Sequence, residues 1–266
     1  MNIQNLKVVY FSPTETTKKI AKYIAQGINI DSTQFYDITL PKAREKQIET
    51  NKNDILLIAF PVYMGRVPEI VTHYLKKLTI ENTPLVSLAV YGNRHFDDAL
   101  LEINNSLKAK GAIPFASAAF IGEHSFSTKE HPIAESRPNK QDLDLAYNFG
   151  TKVKNKIYSI DKIMDSKEII VPGNNPYGGV TQIWSLDFIY INDNCINKGK
   201  CAQVCPTGAI DTKNIRNINI DKCISCCACI KACPQNARSI KDSKVKDASI
   251  RLNNLFKEPK SPEFFI

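Results

Sequence analysis

No uninterrupted apolar run in these 266 residues approaches the roughly 20 needed to cross a bilayer, so no membrane span is expected. The chain lacks a charged n-region followed by an apolar h-region, so no secretory segment is expected and a cytoplasmic location is the expectation. Cysteine is missing from the whole first part of the chain: all eight lie between Cys195 and Cys233. That segregation argues for two domains, with thiol chemistry confined to the second. No nucleic-acid motif accompanies the lysines at Lys18, Lys19 and Lys22 or at Lys241, Lys244 and Lys246, so the net charge of +8 reads as solvated faces rather than a nucleic-acid footprint.

What the last third does contain is a pattern. Cys223-Ile-Ser-Cys226-Cys227-Ala-Cys229-Ile-Lys-Ala-Cys233-Pro234 spells C-x2-C-x2-C-x3-C-P, the ligand run of bacterial iron–sulfur ferredoxins. Upstream, Cys195-Ile-Asn-Lys198-Gly-Lys-Cys201-Ala-Gln-Val-Cys205-Pro206 repeats it in the same register, with lysine where the second ligand should stand. In two-cluster ferredoxins the fourth cysteine of each run binds the other run's cluster. The ligands therefore sort as Cys205, Cys223, Cys226 and Cys229 for a complete 4Fe-4S site, and Cys195, Cys201 and Cys233 for a deficient one. Lys198 is a poor iron ligand, because its ammonium must first lose a proton. The deficient site is expected to hold a 3Fe-4S cluster, or a 4Fe-4S cluster whose fourth iron takes water, Cys227 or another ligand. Zinc is the competing reading, but zinc sites favour paired C-x2-C units with longer spacers.

Residues 1–160 alternate between two periods. Apolar runs at Leu6–Phe11, Asp54–Phe60, Pro84–Tyr91 and Ile113–Ile121 read as strands; Thr14–Ile28, Pro68–Leu78, Phe96–Lys110 and Gln141–Ile157 read as helices. Strands separated by helices predict a doubly wound parallel sheet, which binds ligands at the carboxyl ends of its strands. After the first strand comes Ser12-Pro13-Thr14-Glu15-Thr16-Thr17, whose hydroxyls and amides at a helix start suit a phosphate monoester. The same residues also fit a capping box, Ser12-x-x-Glu15 with Pro13 at the first helical position. Two further loops, Pro61-Val62-Tyr63-Met64-Gly65 and Tyr91-Gly92-Asn93-Arg94, place aromatics and hydrogen-bonding groups at matching strand ends. A flat ring could be clamped there, stacked on Tyr63 or Tyr91, and a flavin is the favoured ligand. His124 and His131 read as ordinary loop histidines.

The N-terminal half resembles flavodoxin, with Ser12 to Thr17 as the phosphate loop. The whole chain resembles the flavodoxin–ferredoxin fusion family, through Phe60-Pro-Val-Tyr-x-Gly-Arg-Val-Pro68, Tyr91-Gly-Asn-Arg94 and the cysteine runs. That resemblance implies an α/β flavodoxin-like parallel sheet of order 2-1-3-4-5 plus a small α+β bacterial ferredoxin-like domain. It also implies two 4Fe-4S clusters, and FMN held by Ser12, Thr14, Thr16 and Thr17 at the phosphate and by the Pro61–Gly65 and Tyr91–Arg94 loops around the ring. Glu15 departs from the pattern, because flavodoxins usually have glycine there. An inward carboxylate would repel the phosphate, so Glu15→Gly is expected to tighten FMN binding.

The expected domains are 1–160, flavodoxin-like; 161–185, a turn-rich linker around Pro172–Gly179; 186–241, the iron–sulfur module; and 242–266, a helix and an apolar tail. Trp184 is expected to pack at the junction. The tail could pack on either domain or serve a homodimer. A flavin beside clusters on one chain points to an electron-transfer flavoprotein that converts between one- and two-electron carriers, with redox proteins as partners. A reductase acting directly on a small substrate is the alternative.

Overall fold

The computed structural model describes residues 1–180 and 185–266; Trp184 lies outside the described residues. The N-terminal part runs β1 (Asn5–Tyr10), α1 (Thr16–Ile28), β2 (Ser32–Asp37), β3 (Glu49–Thr50), β4 (Asp54–Pro61), α2 (Glu69–Leu75), β5 (Thr79–Ile80), β6 (Thr83–Tyr91), α3 (Ala99–Lys108), β7 (Ala112–Ile121) and α4 (Lys140–Tyr158). The C-terminal part runs β8 (Ile189–Ile191), α5 (Lys200–Gln203), α6 (Ala228–Lys231), β9 (Arg238–Ile240), α7 (Lys244–Leu255) and β10 (Glu263–Phe265).

The main sheet has the order β10-β7-β6-β4-β1-β2. Its five N-terminal strands pair in parallel, and in chain order they stand 2-1-3-4-5, the flavodoxin-like doubly wound arrangement. β4 and β6 are buried along almost their whole length, as expected of central strands covered on both faces. One core layer packs α2 and α3 on the sheet through Phe60, Val71, Leu100 and Ile103. The other packs α1 and α4 through Ile20, Ile24, Phe120, Phe149 and Val153. These two helices touch backbone to backbone: a Cβ on Gly150 would collide with the Ile24 carbonyl, and one on Gly27 with the Tyr147 carbonyl.

The iron–sulfur module is a two-fold repeat with a 28-residue shift. α5 is matched by α6, and the antiparallel pair β8–β9 is matched by the bridge Ile210–Ile218. Phe188, Ile189, Ile210, Ile215 and Val245 surround the buried cysteines in a third small core.

The apolar tail settles on the first domain. β10 pairs antiparallel with β7, the ring of Phe264 stacks on Phe149 at 5.4 Å, and Phe265 meets Phe96 edge-on at 6.4 Å. The segment between α7 and β10 is held by Asn93, whose carboxamide donates to the carbonyls of Phe256 (2.7 Å) and Glu258 (3.0 Å). Other bonds tie the module body down. Arg44 donates to the Pro206 carbonyl at 2.6 Å, Ser249 to the Phe126 carbonyl at 2.8 Å, and Asn253 to the Pro132 carbonyl at 2.6 Å. The Lys231 ammonium pairs with Glu123.

Candidate functional site

A cavity of about 760 Å³ opens at the carboxyl ends of β1, β4, β6 and β7. Pro13, Thr14, Thr16 and Thr17 form one wall; Pro61 to Gly65 form a second; Tyr91, Gly92 and Arg94 with Gly122 to Phe126 form a third. The three loops singled out in the sequence meet here, without Ser12, Glu15 and Asn93, and the Gly122–Phe126 loop joins them. Three further segments complete the enclosure: Pro172–Asn174 with Gly178–Gly179, Ile224–Ser225 of the iron–sulfur module, and Ala248, Arg251 and Leu252 of α7.

At the first wall the capping-box reading is overturned. α1 begins at Thr16, and its N-cap is Glu15 in a left-handed conformation (φ 66°), with no side-chain cap bond. Ser12 is buried; its hydroxyl accepts from the Lys18 N–H at 3.0 Å and its own N–H donates to Thr39. Ser12 thus shapes the loop six residues ahead rather than starting a helix. The left-handed φ explains why glycine is favoured at position 15: a side chain there costs about 1 kcal/mol or more. The Glu15 carboxylate is two-thirds exposed and pairs with Lys18 at 2.6 Å, so it turns away from the cavity and the expected repulsion does not arise. Inside, the Thr17 hydroxyl is buried without a hydrogen-bond partner. An orphaned donor at a helix start, beside Thr14 and Thr16, fits a phosphate oxygen.

The second wall is a tight hairpin. Tyr63 and Arg66 exchange both backbone bonds at 3.0 Å, and the two central residues, Met64 (φ 53°) and Gly65 (φ 83°), are left-handed as a type I′ turn requires. A side chain at Gly65 would collide with Asp97. Arg66 holds this turn against the chain beyond α4. It forms a bidentate pair with Glu102 (2.8 and 3.0 Å), lies over the ring of Tyr177 and donates to the Gly178 carbonyl. Asp98 clamps the same segment by accepting from the N–H groups of Asn174 (2.7 Å) and Gly178 (2.6 Å). Burial pushes the Asp98 carboxyl up, but these bonds outweigh it and hold the group below the usual range. The Pro172–Gly179 stretch of the expected linker therefore forms a pinned rim of the cavity.

At the third wall two of the predicted side chains have partners within the protein. Tyr91 is buried with its ring against Phe96 at 5.7 Å, and Asn93 spends its carboxamide on the tail. Tyr63, half-buried, lines the cavity together with Tyr91. Burial raises its hydroxyl well above the ordinary value, with the thiols of Cys226, Cys227 and Cys223 as further causes. Tyr63 thus stands between the cavity and the cysteine run. His124, predicted to be an ordinary loop residue, packs against Gly92 and accepts the Phe126 N–H at 3.0 Å through Nδ1. Burial, with Lys231 and Arg94 nearby, pushes it down to about 4, so it is neutral near pH 7 and keeps its proton on Nε2.

In the C-terminal module Cys205 is an electrostatic neighbour of Cys223, Cys226 and Cys229, and Cys201 of Cys229. Burial pushes the Cys223, Cys226 and Cys229 thiols up, Cys229 to about 12; iron must displace their protons to bind. Among the described residues no three such side chains converge as a single ion requires. The Ala209 N–H donates to Cys205 Sγ at 3.2 Å and the Ala237 N–H to Cys233 Sγ at 3.3 Å, one bond in each half. Cys227 is buried beside Cys226, Cys229 and Cys223. Lys198 is exposed. Sequence reasoning missed Ile224, Ser225, Asn174 and Arg251; only the adjacency of Ile224 and Ser225 to the ligands could have marked them.

Residues 188–234 match the family model of the 4Fe-4S dicluster domain. The B subunit of polysulfide reductase from Wolinella succinogenes is 37% identical over 60 residues, which are 21% of this chain and 31% of that protein. The chain therefore spans under a third of that relative's length. Solved structures similar to the N-terminal part include a flavodoxin from the domain Archaea (16% identity, TM-score 0.36, 58% of this chain and 99% of that one). A Fusobacterium nucleatum flavodoxin bound to flavin mononucleotide is also similar (14% identity, TM-score 0.36, 59% and 98%). The chain thus joins a flavodoxin-like parallel sheet of order 2-1-3-4-5 to a module that matches the 4Fe-4S dicluster domain.

Proposed function

We propose that this protein is an electron-transfer flavoprotein that passes electrons between FMN in the 760 Å³ cavity and iron–sulfur clusters in the C-terminal module. The observation that carries the proposal is the position of Ile224 and Ser225. They lie between the ligands Cys223 and Cys226, and they line the same cavity as the Thr14–Thr17 loop. A ligand in that cavity meets the loop of the complete cluster directly.

Thr14, Thr16 and Thr17 would hold the phosphate, with the orphaned Thr17 hydroxyl as a donor. Tyr63 would face the ring, and the Met64–Gly65 turn would present backbone amides to its polar edge. Bound there, FMN would supply two-electron uptake with one-electron release. The rim from Pro172 to Gly179 and the wall of α7 would keep bulk water off it. Cys205, Cys223, Cys226 and Cys229 would ligate a 4Fe-4S cluster. Cys195, Cys201 and Cys233 would hold a 3Fe-4S cluster, or a 4Fe-4S cluster completed by water or another non-thiolate group, because the exposed residue at 198 is lysine. No helix among the described residues is long and apolar enough to cross a membrane, and a cytoplasmic redox protein is the proposed partner class.

Anaerobic purification with visible and electron paramagnetic resonance spectra tests this reading. Flavin absorption together with signals from two cluster types is expected. Absence of flavin and iron after reconstitution would refute it. Oxidation of the reduced protein by a small substrate, with no carrier protein present, would replace a carrier with a reductase.

A further inference from the structure

Among the described residues three buried side-chain polar atoms have no hydrogen-bond partner: Thr17 Oγ1, Ser225 Oγ and Arg238 Nη1. Two of the three residues, Thr17 and Ser225, line the cavity, on walls that belong to different modules. Buried hydroxyls almost always find an acceptor, so two orphans around one space point to a ligand with acceptor groups at both ends.

Ser225 carries the stronger signal. It is 3% exposed and sits in the left-handed region (φ 52°), so the loop holds it in place against backbone strain. Its repeat-mate Asn197 has the same backbone (φ 54°) but is exposed, and its Oδ1 lies 3.8 Å from Cys195 Sγ. In the solvent-facing half the side chain at this position is thus engaged within its own loop; in the cavity-facing half it is left free.

We infer that the iron–sulfur module is itself part of the flavin-binding site, with the Ser225 hydroxyl donating a hydrogen bond to an acceptor on the ring while Thr17 serves the phosphate. This rests on the FMN reading above. The flavin then bridges the two modules, and its affinity belongs to the whole chain rather than to the N-terminal domain. Carbonyl oxygens and unprotonated ring nitrogens are the acceptors a flavin offers, and a donor there is one of the protein's means of tuning its electronics.

The test uses the full, cluster-loaded chain stripped of flavin and titrated with FMN, riboflavin and inorganic phosphate, following flavin fluorescence and, for phosphate, calorimetry. Ser225→Ala is expected to weaken FMN and riboflavin alike by about five- to tenfold, the worth of one hydrogen bond, and to leave phosphate affinity unchanged. Thr17→Val is expected to do the converse, weakening FMN and phosphate but not riboflavin. Ser225→Gly, which relieves the left-handed strain, should match Ser225→Ala and so separates hydroxyl loss from misfolding. Unchanged flavin affinity in both Ser225 variants overturns the inference while the FMN reading stands. So does a shift confined to the cluster spectrum, which would assign the hydroxyl to cluster sulfur. A wild-type chain that binds neither FMN nor riboflavin overturns both.

Discussion

The two halves of the iron–sulfur module share a backbone and differ in what they face. Asn197 and Ser225 have φ of 54° and 52°, and Gly199 and Cys227 have φ of 72° and 56°. Each half then turns into a four-residue helix and closes with an amide-to-thiol bond from the fourth residue beyond its last cysteine. Yet Ile224 and Ser225 line the cavity, whereas Ile196 is half exposed and Lys198 is exposed. The loop conformation is thus the same where lysine stands in place of the second cysteine. It is written in the left-handed positions and the Cys-Pro closures rather than in the second cysteine.

The largest effect comes from breaking the inner half. Cys226→Ser should remove the complete cluster and abolish flavin-to-cluster transfer, whereas Cys195→Ser should remove only the outer cluster and leave that transfer in place. Iron analysis, expected to fall by roughly half in each, and electron paramagnetic resonance distinguish them. Lys198→Cys should make the halves alike, raising iron to about eight atoms per chain and converting any 3Fe-4S signal to that of 4Fe-4S. An unchanged spectrum would mean that the outer loop differs by more than its ligand.

Smaller effects test the left-handed positions. A Cβ at Gly199 meets nothing within 4 Å, so Gly199→Ala should cost about 1 kcal/mol from backbone conformation alone in denaturant unfolding. Glu15→Gly should yield about the same amount as a gain, with FMN affinity nearly unchanged because the carboxylate already faces Lys18. The smallest effect concerns the cavity wall. His124 is held down to about 4 from 6.5, so the folded state takes up its proton later than the unfolded state as pH falls. Its contribution is intact above pH 6.5 and is lost between about 6.5 and about 4. His124→Gln should flatten the stability profile across that window and leave it unchanged above.

Much of this was legible in the chain. The strands β4, β6 and β7 are continuous apolar runs, and a parallel sheet buried on both faces demands just that. β2, Ser32–Asp37, was not, because as an exposed edge strand it carries mostly polar residues. The loop after β1 could be located, but the capping box within it was wrong: a short-range pattern cannot reveal that Glu15 turns left-handed. The engagement of the Asn93 carboxamide could not be read from its neighbours, since the tail, 163 residues beyond, claims it. The rim at Pro172–Gly179 looked like a linker because glycine and proline mark turns whether or not distant groups such as Asp98 and Arg66 pin them.

The central claim is that electrons cross within one chain, from the cavity to the complete cluster through the Cys223–Cys226 loop. Flash photoreduction of the reconstituted protein, following flavin and cluster absorption at several protein concentrations, tests it directly. The account predicts a first-order exchange whose rate is independent of concentration and absent in Cys226→Ser. A rate that rises in proportion to protein concentration, or that persists in that variant, would contradict it.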